Sequence, residues 1–262
     1  MSYIHSSIIS KVQYYENKPI FSVIELNLLN YCNRSCSFCP SIVPATKKEM
    51  SPLTYLSVIL QLRNMGFEGL LSFSGFSEPT LHTDLYYYID MKNKFIPNAH
   101  LTMNTNGDFL TDDIIDLLFK KGIDDICISV YEKETLKKFD NKRIIEYNNK
   151  RLVFKDRFSN EDFVNNRAGS LFSIEKPLKN ICYYPYYSIY VDYNGDILFC
   201  PHDYNKTIVL GNILNNDSLL DTWNGKEINK IRGNRNHLPC SNCDVLGDLM
   251  GKEHYEEYTK RL

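Results

Sequence analysis

The chain has 262 residues, 43% hydrophobic and 24% charged, with a formal net charge of −2. That balance suits a globular protein and leaves no basic footprint for nucleic acid or an anionic membrane surface. No run of ~18 apolar residues could span a bilayer, and the start, MSYIHSSIISKVQYYENKP, lacks the basic-then-apolar order of a secretory signal. A cytoplasmic protein with neither nucleic-acid nor membrane partners is therefore expected.

Strand and helix patterns alternate through the first half. The first strand-like run is VIELNLLN, and a cysteine-rich loop follows it. Next comes a helix, SPLTYLSVILQLRNMG, with Ser51 as N-cap, Pro52 in its first turn and Gly66 at its end. The second strand, GLLSFSG, precedes the helix TDLYYYIDMKNKF, and the third, AHLTMNTNG, precedes TDDIIDLLFKKG. That last helix begins with Thr111, has acids in its first turn and lysines in its last, matching the helix dipole, and ends at Gly122. DDICISVYE is the fourth strand and RLVFKDRF the fifth. This alternation predicts parallel βα units forming a partial (β/α) barrel over residues 20–165, behind an extension of residues 1–19.

Residues i and i+2 of a strand share a face. Ile24, Leu26 and Leu28 alternate with Glu25 and Asn27, Leu71 and Phe73 with Ser72 and Ser74, and Leu101 and Met103 with Thr102 and Asn104. Ile126, Ile128 and Val130 alternate with Cys127 and Ser129. Helices must cover the apolar face, so the polar face points into the lumen. An ordinary barrel fills that lumen with branched apolar side chains, so a polar one predicts a cavity for a polar ligand. Solvent-facing strands of an open sheet are the alternative.

From about residue 166 the pattern changes to short strands around an Asn194–Gly195 turn, then a short helix, SLLDTWNGKEINKIR, the Cys240–Cys243 loop and a charged terminal helix. Residues 166–262 are read as a small second domain. The eight cysteines of the chain fall into two sets, Cys32, Cys36 and Cys39, then Cys182, Cys200, Cys240 and Cys243, with Cys127 alone. In a reducing compartment this points to metal ligation rather than disulfides. The first set lies at the C-terminal face of the barrel, where active sites form. Three thiolates can hold three irons of a [4Fe–4S] cube and leave the fourth iron for a non-protein ligand; a zinc knuckle is the alternative.

CNRSCSFC, with Phe38 ahead of the last cysteine, resembles the C-x3-C-x2-C signature of radical S-adenosylmethionine (SAM) enzymes. The resemblance implies that SAM fills the open iron position and is cleaved to a 5′-deoxyadenosyl radical that abstracts hydrogen. It also implies that GFSEP, Gly75 to Pro79, meets the SAM amino group. This turn has Phe76 and Ser77 where the commoner pattern is G-G-E-P, but keeps Glu78. Asn104 in MNTNG and Ser129 would face the ribose and methionyl parts, and Arg143 is the candidate partner for the carboxylate. The second cysteine set, C-x12-G-x4-C then C-x2-C, resembles the shortened SPASM module called the twitch domain. It would hold a second, fully ligated [4Fe–4S] cluster, although four cysteines also suit a structural zinc. A flavodoxin- or ferredoxin-type electron donor is implied as partner.

In layout the chain is similar to family members that oxidise a sugar-like alcohol to a ketone, so a small sugar or cyclitol substrate is expected. The resemblance implies that an arginine of VNNRAG contacts substrate, which makes Arg167 the candidate; guanidinium suits vicinal hydroxyls, carboxylate or phosphate. His202 and Asp203, in CPHD, are candidates to take a hydroxyl proton. The rival readings are a sugar epimerase, a ribosomal-peptide maturase and a zinc-stabilised binding module. Peptide maturases often carry a recognition domain ahead of the barrel, and residues 1–19 are too few for one.

Overall fold

The N-terminal segment is built into the fold rather than appended to it. Helix α1 (Tyr3–Ser10) is followed by a hairpin of β1 (Gln13–Tyr15) and β2 (Lys18–Ile20). Its two-residue turn, Glu16–Asn17, has both residues left-handed, at φ 48° and 61°, the geometry that matches strand twist. Glu16 is an unusual occupant of such a turn, so composition gave no hairpin signal. The structure is a computed structural model describing residues 3–40, 44–138, 144–147, 150–157 and 165–260.

The expected alternation follows: β3 (Val23–Leu26), α2 (Pro52–Asn64), β4 (Leu70–Phe73), α3 (Leu85–Phe95), β5 (His100–Thr105), α4 (Asp112–Lys121) and β6 (Asp125–Val130). The caps are those the sequence offered. Ser51 Oγ accepts from Thr54 N at 3.1 Å, Thr111 Oγ1 accepts from Ile114 N at 3.3 Å, and Gly122 ends α4 at φ 109°. A short helix, α5 (Lys133–Lys137), leads to β7 (Ile144–Tyr147) and β8 (Lys150–Asp156). The fifth parallel strand is β8, paired on its outer edge with antiparallel β7, a hairpin that the sequence reading missed.

The C-terminal segment carries α6 (Tyr184–Tyr187), β9 (Ser188–Val191), β10 (Asp196–Leu198), β11 (Val209–Asn212), α7 (Leu219–Asn224), α8 (Lys226–Ile231) and α9 (Lys252–Thr259). The single helix expected after residue 217 is thus broken at Gly225 into α7 and α8. Strand β9 lies parallel to β3, so a single sheet runs β11-β10-β9-β3-β4-β5-β6-β8-β7. The two halves of the chain share a backbone ladder.

The α/β fold class and the polar lumen are both as expected. Ile24, Leu26, Leu71, Phe73, Leu101, Met103, Ile126 and Ile128 are fully buried in one core cluster with residues of α2, α3 and α4. Among the described residues no helix is long and apolar enough to cross a membrane.

At the N-terminal end of the sheet, α1 is tied to β6. Asp125 Oδ2 accepts from His5 Nε2 at 2.9 Å and His100 Nε2 at 2.5 Å, and Oδ1 accepts from Arg151 Nε at 2.8 Å. Burial pushes the Asp125 carboxyl up, but donation from His100, His5 and Arg151 outweighs it and holds the group well below the usual carboxylate range. A depressed carboxyl stabilises the fold above its unfolded value of about 3.9, and that contribution fades as pH falls below it. Asp125→Asn strands a buried guanidinium, so unfolding by urea near neutral pH is expected to show a loss on the order of 3–5 kcal/mol. The gap between variant and wild type is expected to narrow below about pH 4; a gap constant with pH would refute the assignment.

Candidate active site

A cavity of about 370 Å³ opens between the C-terminal ends of the strands and the C-terminal segment. Glu25, Ser72, Ser74, Thr102, Asn104 and Ser129 line its floor and wall; of the polar members of the alternation in β3 to β6, Asn27 and Cys127 do not line it. Cys32, Cys36 and Cys39 line its rim, beside Phe38. Phe38 stacks on Tyr131, ring centroids 5.4 Å apart.

Two loops hold the cysteine rim. Arg34 Nη2 and Nε donate to Asp108 at 2.5 and 2.7 Å, and its two Nη atoms donate to Glu132 at 2.7 and 3.0 Å. This cross-links the cysteine loop to the loops after β5 and β6. Asn106 Nδ2 lies 3.8 Å from Cys32 Sγ and donates to Asn33 Oδ1 at 2.8 Å. Burial pushes the Cys32 and Cys36 thiols up, so they ionise when a cation replaces their protons.

Gly75, Phe76, Ser77 and Glu78 all line the same cavity. Gly75 has φ 117°, and a Cβ there would lie 1.9 Å from the Tyr190 hydroxyl, so only glycine fits. Phe76 stacks on Tyr190 at 5.1 Å and packs tilted against Tyr204 at 4.1 Å. Glu78 is 2% exposed. It accepts from Thr80 Oγ1 and Thr105 Oγ1, each at 2.6 Å, and from Asn106 N at 2.7 Å. Burial nevertheless leaves its carboxyl above the usual range. Phe38, Gly75, Phe76, Ser77, Glu78, Asn104 and Ser129 therefore line one space. Arg143 lies outside the described residues.

Cys182, Cys200, Cys240 and Cys243 line a second, smaller cavity. Burial pushes all four thiols up, Cys240 to about 12 and Cys200 well above its ordinary value. Four such thiols around one space are poor nucleophiles but suitable ligands for a group that displaces their protons.

The segment carrying Arg167 is bolted to the second cysteine loop. Asn166, fully buried, donates from Nδ2 to Asn242 O at 2.7 Å, and its backbone N donates to the Asp244 carboxylate at 2.9 Å. Arg167 is left-handed at φ 51°, a conformation rare for a long side chain. Its Nε is buried without a hydrogen-bond partner and its guanidinium lies 5.5 Å from the Tyr204 ring centroid. His202 lines both cavities, and neither ring nitrogen has a partner. Burial, with the Arg167 charge adding to it, lowers its pKa to about 4 and keeps the imidazole neutral.

Asp203 is bonded within its own loop. It is 1% exposed and is not among the residues lining the main cavity. Its two oxygens accept from Thr207 Oγ1 at 2.9 Å and Ile208 N at 3.0 Å. A carboxylate with both oxygens engaged inside its own loop holds that loop in shape.

Two lumen residues received no functional reading from sequence. Glu25 accepts from Ser74 Oγ at 2.7 Å, and burial pushes its carboxyl up against the effects of Ser74 and Lys155. Lys155 donates to Asn104 Oδ1 at 3.2 Å. The alternation had put Glu25 on the lumen face, a signal that it could contact a ligand.

Comparison with known proteins adds the following. Residues 26–144 match the radical SAM superfamily and residues 182–244 match SPASM, an iron–sulfur cluster-binding domain. A SAM-dependent 2-deoxy-scyllo-inosamine dehydrogenase from Niallia circulans is 30% identical, over 90% of this chain and 98% of its own. The crystal structure of BtrN with AdoMet and 2-DOIA has a TM-score of 0.78 at 28% identity, covering 89% of this chain and 96% of that one. AdoMet-bound anSMEcpe has a TM-score of 0.56 at 13% identity, covering 91% and 93%, a likeness of fold alone.

Proposed function

Because this chain belongs to the radical SAM superfamily and carries a SPASM iron–sulfur domain, we propose that it oxidises a secondary alcohol on a small sugar or cyclitol. It is a radical SAM oxidoreductase whose cofactors are SAM and iron–sulfur clusters. The observation that carries the substrate reading is the shared lining of one polar cavity. Cysteines of the first set lie at its rim, Glu25 and the lumen hydroxyls at its floor, and Arg167 and His202 on the side of the second set. The similarity to a cyclitol dehydrogenase over nearly the whole chain supports the same choice.

In this reading Cys32, Cys36 and Cys39 hold the SAM-binding [4Fe–4S] cluster, and Cys182, Cys200, Cys240 and Cys243 the auxiliary one. When bound, these groups supply one-electron cleavage of SAM, hydrogen-atom abstraction and an electron acceptor. Glu78 accepts a hydrogen bond from the SAM amino group, while Asn104 and Ser129 face its ribose and methionyl parts. Glu25 and Arg167 bind substrate hydroxyls, carboxylate and guanidinium together fixing which carbon meets the abstracting group. His202, neutral and without a hydrogen-bond partner, accepts the hydroxyl proton. Residues 1–19, 20–165 and 166–262 serve as N-terminal buttress, SAM-binding barrel and auxiliary-cluster domain. Thiolate-held clusters call for a reducing, cytoplasmic setting and a flavodoxin- or ferredoxin-type donor.

Glu78→Gln tests the SAM contact. The variant keeps a partner of the same shape but loses the charge, so SAM affinity is expected to fall roughly tenfold to a hundredfold. Iron content is expected to stay at the wild-type level. Unchanged affinity, measured by equilibrium dialysis of the reconstituted enzyme, would remove Gly75 to Pro79 from the site.

A further inference from the structure

A line of hydrogen-bonded side chains runs from the auxiliary-cysteine loop to the Gly75–Glu78 turn. Lys206 lies in the loop that begins at Cys200 and is left-handed at φ 51°. Its Nζ donates to Asp192 Oδ2. Asp192 is fully buried at the end of β9, and its Oδ1 accepts from Asn27 Nδ2 at 2.7 Å. Asn27 is 1% exposed at the end of β3. Its Oδ1 accepts from Phe76 N at 3.2 Å and from Ser77 Oγ at 2.7 Å.

The parallel register makes this possible. Leu26 pairs with Val191, and Asn27 N donates to Val191 O at 3.0 Å, so the residues one step on, Asn27 and Asp192, stand side by side. An amide side chain can present either end to its neighbours. Beside a carboxylate only the NH₂ end fits, so Asp192 turns the Asn27 oxygen toward the turn. A buried carboxylate is costly without a counter-charge, and Lys206 supplies one from a side chain 32% exposed. None of the three residues lines the cavity, so they act through the turn and not on SAM or substrate.

We propose that Lys206, Asp192 and Asn27 are positioning residues that fix the Phe76–Ser77 segment and make SAM affinity depend on the auxiliary-cysteine loop. The inference rests on the reading of Gly75–Glu78 as the SAM amino contact. Coupling of this kind is reciprocal, so SAM also steadies the loop from Cys200 to Lys206.

The test uses the fully reconstituted enzyme with SAM as the probe. Lys206→Met is expected to raise the Kd and KM for SAM by roughly tenfold, with both clusters present by iron analysis and kcat retained at saturating SAM. Lys206→Arg is expected to restore most of the affinity. In the Lys206→Met background, Ser77→Ala is expected to cost little further, because the contact it removes has already lost its register. Asp192→Asn, which keeps the volume and removes the charge, is expected to reproduce the Lys206→Met affinity and provides a second variant if the first loses iron. An unchanged SAM Kd in Lys206→Met, alongside a weakened one in Glu78→Gln, would overturn this proposal alone. Unchanged affinity in both variants would overturn the SAM reading beneath it. A fall in kcat with KM unmoved, or strictly additive losses in the double variant, would also overturn the proposal.

Discussion

Cys36→Ala is expected to abolish formation of 5′-deoxyadenosine from SAM and to remove about half of the bound iron. Cys36 lines the cavity rim with Cys32 and Cys39, in a loop that Arg34 clamps to Asp108 and Glu132. The clamp leaves little freedom for another side chain to replace a lost sulfur. Neighbouring donors are unsuitable: Asn33, Asn106 and Tyr131 offer amides and a phenol, not a thiolate. An iron at the vacated corner would be exposed to solvent and lost, and SAM would have no intact cube to chelate. Cys127→Ala is the internal control, since Cys127 is 3% exposed and does not line the cavity. Continued reductive cleavage in a Cys32, Cys36, Cys39 triple alanine variant would sink the assignment.

Cys200→Ala is expected to leave SAM cleavage measurable and to stop product formation. Alcohol oxidation removes a hydrogen atom from carbon, a proton from oxygen and one further electron. The electron needs an acceptor near the substrate. Four cysteine ligands saturate a cluster at the second set, so a cluster there can accept an electron without competing for the hydroxyl. His202 lies between the two cavities, and its backbone N lies 3.4 Å from Cys200 Sγ. Epimerisation has a different need: a hydrogen atom returned to the opposite face, for which a thiol is a suitable donor. With seven cysteines assigned to clusters, Cys127 is the remaining thiol. Strand alternation puts it two residues below Ser129, about 6–7 Å further from the rim. That depth suits a small buried filler, so Cys127→Ala is expected to retain product formation.

Much of this site was legible because local rules govern it. The Ser51 and Thr111 caps, the Gly122 stop and the polar–apolar alternation in β3 to β6 depend on residues only a few positions apart. Both cysteine sets are spacing signals of the same kind. What escaped depends on partners distant in sequence. Helix α1 has a mixed surface, and its purpose is visible only when His5 meets Asp125, 120 residues away. Asn27 reads as one more polar lumen residue until Asp192, 165 positions on, turns its amide. Strand β9 reads as part of a separate domain because nothing local reports that it pairs with β3. The bonds of Asp203 to Thr207 and Ile208 were likewise not visible from its place beside His202.

The central claim, oxidation of a ring alcohol, is tested most directly by the mass of the product. The reconstituted enzyme, its Cys127→Ala variant and its Cys200→Ala variant would be run without oxygen, in deuterated water, on a panel of aminocyclitols and sugars. Product and unreacted substrate would be compared by mass spectrometry. The expected product from the wild type and Cys127→Ala is lighter than substrate by two hydrogens and carries no solvent deuterium at a non-exchangeable carbon, with none formed by Cys200→Ala. Product of unchanged composition that carries one solvent deuterium at a non-exchangeable carbon, lost in Cys127→Ala, would contradict the account and identify an epimerase.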